Sequence, residues 1–251
     1  MLAAGELTRA PADGYTILVA NIGPFVLVPN MVSKKPYDPQ KDFTYIHQTS
    51  GSGFIAAVPA NHPANTLAEF IAWAKANPAK ANFASGGAGS ITHLNGEMLN
   101  QIAGTKLVHV PYKGSSPAVQ DLIGGQTHLL VDVATVLLQH IQSGRLKALY
   151  VTDAQRVAAL PNVPTAKEAG FPGLETSGWQ GIVGPAGMPK DVVARISKAI
   201  GETLAKPDVR QKFAANGSAI MEKGPEEFTA FHTAEINRWV PVIKASGATL
   251  D

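Results

Sequence analysis

Two short runs of small residues carry most of the chemistry this chain offers. Ser85-Gly86-Gly87-Ala88-Gly89-Ser90 lies between a strand-like run, Ala81 to Ala84, and a helix-like run, Ile91 to Ile102. Gly114-Ser115-Ser116 lies between the strand-like Leu107 to Tyr112 and the helix-like Pro117 to Ile123. Each is a strand, a loop of small residues and a helix start. The first amides of a helix lack an intrahelical acceptor and sit at the positive end of its dipole. Glycine lets a ligand approach that backbone, and serine adds a hydroxyl. Two such loops predict a small anion held mainly by backbone N–H groups. Lys113 is the only charged residue in either loop. It reads equally as a counter-charge to the anion or as a solvated side chain. Asp132 stands among Leu129, Leu130, Val131 and Val133. In so apolar a strand its carboxylate needs a partner, either a neighbouring backbone group or a ligand amine or hydroxyl.

Other chemistries fit less well. The seven histidines are never spaced i,i+2 or i,i+4, no HExxH occurs, and there is no cysteine. Metal and thiolate sites are therefore not expected, and no cofactor is implied. His93, one turn into the helix behind the first loop, reads as a ligand contact or as a local structural bond. Gly51-Ser52-Gly53-Phe54-Ile55-Ala56 matches a dinucleotide pattern, but Val58-Pro59 follows where that site requires a helix. Gly114-Ser115-Ser116-Pro117-Ala118 is similar to the elbow of serine hydrolases. It lacks the second glycine, and Pro117 has no N–H for an oxyanion hole. A serine hydrolase-like enzyme using Ser115 or Ser116 is the alternative reading. The favoured one makes Pro117 the first residue of a helix capped by Ser116. A net charge of +2 with scattered Lys and Arg leaves no footprint for nucleic acid. No apolar run approaches the roughly 20 residues of a membrane helix. The opening Met1-Leu2-Ala3-Ala4-Gly5-Glu6 shows no signal peptide.

The elements that must position these residues alternate between strand and helix. Tyr15 to Ala20 reads as a buried strand. Phe43 to Val58 is long and β-rich, and Ser50-Gly51-Ser52-Gly53 breaks it at a hinge. Thr66 to Ala76 is a helix with a capping box, Thr66 and Glu69, stopped by Asn77-Pro78. A strand over His128 to Val133, a helix over Thr135 to Ser143 and a strand over Leu146 to Thr152 follow. Thr165 to Ala169 reads as a short helix with its own capping box, Thr165 and Glu168. Trp179 to Val183 is a strand. Pro189 to Ala205 and Pro225 to Lys244 are amphipathic helices, the last burying Phe228, Phe231, Ile236, Trp239, Val240 and Ile243. The alternation predicts an α/β fold with mostly parallel sheets.

Seven collinear segments carry a resemblance. They are Pro11-Ala12-Asp13-Gly14-Tyr15-Thr16-Ile17-Leu18, Asn21-Ile22-Gly23-Pro24, Phe83-Ala84 with the first loop, and His109-Val110-Pro111-Tyr112-Lys113-Gly114. Ala118-Val119-Gln120-Asp121-Leu122-Ile123-Gly124-Gly125-Gln126, Leu160-Pro161-Asn162-Val163-Pro164-Thr165 and Gly178-Trp179-Gln180-Gly181 complete them. With them the chain resembles the periplasmic solute-binding proteins of tripartite tricarboxylate transporters, the Bordetella uptake gene (Bug) family. The resemblance implies a type II periplasmic-binding-protein fold, two lobes with mostly parallel sheets joined by a hinge. Lobe 1 would take 1-52 and 152-251, and lobe 2 would take 53-151. It implies a monomer that does no chemistry, closes over a small carboxylate and hands it to a membrane permease. A di- or tricarboxylate, an acidic amino acid or an aromatic acid all suit that class. Ser85, Gly86, Gly89, Ser90, Tyr112, Lys113, Gly114, Ser115 and Asp132 would bind from lobe 2, and Asn21, Ile22 and Gly23 from lobe 1. Family members begin with a signal peptide, a first strand and a further ligand loop, and this sequence enters after them. The resemblance thus implies a first lobe incomplete at its N-terminus, with an unpaired strand edge. A ligand-sensing lobe not linked to transport is the other non-enzymatic alternative.

Overall fold

The computed structural model describes residues 2–215 and 218–250. In chain order the elements are α1 (Leu2–Leu7), β1 (Leu18–Asn21), β2 (Phe43–Pro59), α2 (Leu67–Ala76), β3 (Asn82–Ser85), α3 (Ile91–Ala103), β4 (Val108–Pro111) and α4 (Ser115–Ile123). Then come β5 (Leu130–Val133), α5 (Ala134–Gln142), β6 (Leu146–Val151), β7 (Ser177–Pro185), α6 (Lys190–Leu204), α7 (Pro207–Ala215), β8 (Ala219–Lys223) and α8 (Pro225–Ser246). The residues form two compact units, Met1–Gly51 with Gly178–Asp251, and Ser52–Ser177. No helix among the described residues is long and apolar enough to cross a membrane.

In the first unit β1 pairs antiparallel with β7, and β2 pairs antiparallel with β8. The buried stripe of α8 is Phe228, His232, Glu235, Trp239, Val242 and Ile243. Phe231, Ile236 and Val240, expected in that stripe, are half-buried. The two polar members displace them because both find partners. His232 Nε2 lies 2.9 Å from the Tyr45 hydroxyl and 2.9 Å from the Phe25 carbonyl, and Trp239 Nε1 donates to Glu235 Oε2 at 3.2 Å. Trp179 is core, set edge-on to Phe228 at 5.6 Å. The run from Tyr15 is not a buried strand. β1 starts at Leu18 and ends its sheet, so Tyr15 is 91% exposed and Val19 56%.

The second unit has the strand order β6-β2-β5-β3-β4. The α/β expectation holds, but parallel pairing is confined to the β5-β3-β4 block. β2 runs antiparallel to both its neighbours, β5 and β6. It reaches this sheet as the second half of one long strand rather than through a strand–helix–strand crossover, which would impose the parallel sense. Ile55, Ala57, Ala84, Val119, Leu122 and Leu137 form the core beneath.

Three expectations about this unit change. β2 is continuous across Ser50 to Gly53, and Gly53 serves close approach instead of a break. A Cβ there would lie 2.5 Å from Asp153 Cβ and 2.8 Å from its backbone nitrogen, and the Gly53 N–H donates to Asp153 Oδ2 at 3.1 Å. The return to the first unit comes at Ser177/Gly178, well after 151/152. The intervening segment is bonded into the second unit: Thr152 Oγ1 donates to the Thr176 carbonyl at 2.6 Å, and Thr176 Oγ1 to Asn95 Oδ1 at 3.0 Å. Thr165 to Ala169 makes its capping box (Glu168 N–H to Thr165 Oγ1 at 3.1 Å) but is a chain of turns, closed too soon by Gly170 at φ +90° to become a helix.

Gly53→Ala is expected to lower unfolding stability by about 2 kcal/mol through overpacking against the Asp153 backbone. Urea denaturation checks it, and an unchanged midpoint would contradict the close-approach role.

Candidate functional site

The parallel strands β4, β3 and β5 are each followed by a helix, β5 directly and the other two through a short loop, so three helix starts gather at the carboxyl ends of adjacent strands. Open α/β sheets bind ligands at such ends. Ser85 pairs with Pro111 at the end of β3 and β4, and Ala84 pairs with Leu130 across to β5. A Cβ on Gly86 would lie 3.6 Å from Ser115 N and 3.6 Å from Thr92 Oγ1, so the starts of α3 and α4 face the same glycine.

The first loop satisfies most of its own polar groups. Ser90 caps α3, accepting from the His93 N–H at 3.3 Å, while its hydroxyl donates to the Gly87 carbonyl at 2.6 Å. The Gly86 N–H donates to Thr92 Oγ1 at 2.8 Å, and the Gly87 N–H to Ser85 Oγ at 3.1 Å. The Gly89 N–H donates to His93 Nδ1 at 3.1 Å. Positive φ at Gly87 (136°) and Gly89 (74°) is what lets the chain fold back so tightly. The amides of Ala88, Ile91 and Thr92 have no acceptor among the described residues.

The second loop is shorter. The cap of α4 is Gly114 at φ 109°, and the helix starts at Ser115. This corrects the expectation of a Ser116 cap with Pro117 first. Glycine alone takes that backbone angle freely, so the helix begins before the proline, whose missing N–H then falls among the first-turn amides that no helix pairs. The amides of Ser115 and Ser116 have no acceptor among the described residues. The Gly114 N–H donates to the Gly86 carbonyl at 3.1 Å, and Tyr112 N–H to the Ser85 carbonyl at 3.0 Å, which ties the loops together.

Asp132 closes the arrangement from β5. It is 3% exposed, and its Oδ1 accepts the Val133 N–H at 2.8 Å. Its Oδ2 has no bonding partner among the described residues. Burial pushes its carboxyl up, while the nearby Ser115 hydroxyl and the Val133 N–H pull it back.

Several expected ligand residues act behind the site. Ser85 is fully buried, and its hydroxyl is shared between the Gly87 backbone and His109 Nε2 at 2.6 Å. The Tyr112 hydroxyl donates to Asp121 Oδ2 at 2.7 Å, anchoring the loop to α4, with its pKa pushed up to about 12 by burial and by that carboxylate. Lys113 is exposed, with no ion pair among the described residues. Asn21, Ile22 and Gly23 belong to the first unit, where Asn21 Oδ1 accepts the Gly23 N–H at 3.2 Å and Ile22 is buried.

His93 makes the local structural bond that the sequence allowed, from the Gly89 N–H, but the sequence reading missed the other groups beneath the first loop. His93 and His109 stack with ring centroids 3.7 Å apart, Phe83 lies against His109 at 5.0 Å, and Glu97 Oε1 is 3.7 Å from His93 Nε2. His109 is pushed down to about 4 by burial first and by His93 second, with Glu97 opposing. The spacing of His93 three residues after the Ser90 cap was the available signal. The pairing with β4 was not, because it depends on sheet order.

The profile of the tripartite tricarboxylate transporter family receptor, TctC, matches residues 1–248. The chain belongs to that family. A UPF0065 protein in the tcbD-tcbE intergenic region of Pseudomonas sp. is 35% identical, over 94% of this chain and 70% of that relative's length. A solved R. palustris protein with adipate superposes with a TM-score of 0.82 at 30% identity, covering 99% of this chain and 84% of the other. MatC from Rhodopseudomonas palustris, with bound malate, gives 0.77 at 28% identity, over 96% and 83%. TctC proteins are solute receptors and not enzymes.

His109 titrates lower folded than unfolded, so the unfolded chain binds more protons between the two values. Stability is full above about 6.5 and is lost as pH falls toward about 4. His109 alone is expected to contribute about 3 °C per pH unit to the fall in melting temperature in that window, beside the other histidines whose pKa burial also lowers. His109→Gln is expected to show a shallower slope, and thermal melts from pH 7 to 4 with an identical slope would contradict the assignment.

Proposed function

We propose that this chain is a periplasmic receptor that captures a small carboxylate for a tripartite tricarboxylate transporter. One observation carries the reading: the Ser115 amide of α4 and the Thr92 hydroxyl of α3 approach the same glycine, Gly86, and the amides of Ile91, Thr92, Ser115 and Ser116 have no acceptor among the described residues. Backbone N–H groups at helix N-termini are the natural partners of a carboxylate. In this reading Gly86, Gly89, Ser90, Gly114 and Ser115 surround the acid, and Ser85 and Tyr112 hold their loops in place. The two compact units are the receptor's two lobes. Related proteins with adipate and with malate bound support the ligand class.

Thermal melts with adipate, malate, succinate and citrate test it. An acid at about 100 times its dissociation constant adds roughly 2.7 kcal/mol of apparent stability, a rise of several degrees for a chain of this size. Ser115→Pro deletes one first-turn amide at a position where a helix accepts proline. It is expected to weaken the responding acid about tenfold or more. Ser115→Ala, which removes only the hydroxyl, is expected to cost less. A panel without any response would contradict the receptor reading, and a harmless Ser115→Pro would contradict the amide site.

A further inference from the structure

A carboxylate is an unexpected neighbour for a site that holds carboxylates. Asp132 is 3% exposed, its Oδ2 is unpartnered, and the Ser115 hydroxyl lies close enough to act on it. Ser115 is also the first residue of α4, whose leading amides are unpaired. An acceptor-only oxygen therefore sits beside a cluster of donors. Isolated, a buried oxygen of this kind is costly and needs a hydrogen-bond partner. Beside a bound anion it would repel that anion unless a donor stood between the two charges.

One kind of molecule satisfies both features at once. Its carboxylate takes the α4 amides, and a hydroxyl or ammonium on the adjoining carbon donates to Asp132 Oδ2. We propose that Asp132 makes this site selective for carboxylic acids that carry a hydrogen-bond donor next to the carboxylate, the 2-hydroxy and 2-amino acids. The proposal rests on the receptor reading above and narrows its ligand class. A site that hydrogen-bonds such a group discriminates strongly against the analogue lacking it, because its own buried oxygen is then left unpaired. The opposing influences on the carboxyl fit this role. Burial raises it, and a donor arriving with the ligand favours its charged form as Ser115 and Val133 already do.

L-malate, L-aspartate and succinate share one carbon skeleton and differ only in a hydroxyl, an ammonium or a hydrogen at the carbon beside the carboxylate. Titration calorimetry of the unaltered chain is expected to show L-malate or L-aspartate binding at least about tenfold more tightly than succinate. Asp132→Asn is expected to shrink that preference to less than about threefold, because succinate, which brings no donor, gains once the carboxylate that repels it is gone. Succinate binding as tightly as both others would overturn the proposal and leave the receptor reading standing. A preference that survives in Asp132→Asn would do the same. Failure of all three acids, together with a silent thermal panel, would remove the receptor reading itself. The comparison in the unaltered chain decides the matter even if the variant does not fold.

Discussion

A helix cannot pair its own first amides, and three adjacent parallel strands that each lead into a helix through at most a short loop gather that deficit in one place. The rest of the second unit is arranged around this constraint. β3 lies between β4 and β5, so the starts of α3 and α4 and the end of β5 become neighbours. Glycines at positive φ, Gly87, Gly89 and Gly114, let the connecting loops be short enough to keep them so. Had the loops been longer, their backbone would have folded over the helix starts and used up the free N–H groups.

The loops then spend their remaining polar groups on one another. Ser85, Thr92 and His93 take the amides of Gly87, Gly86 and Gly89, and the two loops exchange backbone bonds at Tyr112 and Gly114. What remains unpaired is a small set of amides in fixed positions, which is how a site gains affinity without charge. The stacked His93 and His109 rings, with Phe83 against His109, hold the first loop through bonds to Gly89 and Ser85. Arginine is not needed: a carboxylate is met by dipoles already oriented by the fold.

Much of this was legible in the residues. Glycine and serine between apolar runs mark the loops by their own conformational needs. The α4 cap was misread because serine is the better cap on average, whereas the backbone angle at Gly114 decided this one. Local patterning also places Asp132 in an apolar strand. It does not reveal that Ser115 comes near it, since that contact depends on β5 and β4 flanking β3. β8 and α7 escaped notice because neither carries a strong apolar face. The direction of β2 escaped for another reason: pairing sense follows from how a strand arrives, and single-chain periodicity is blind to that.

The central claim is that backbone amides at the starts of α3 and α4 hold the ligand, and backbone amide chemical shifts test it most directly. The unaltered chain, labelled with nitrogen-15, would be titrated with L-malate. The account predicts that the largest downfield proton shifts fall on Ile91, Thr92, Ser115 and Ser116. Binding that leaves those four amides unmoved and shifts others instead would contradict it.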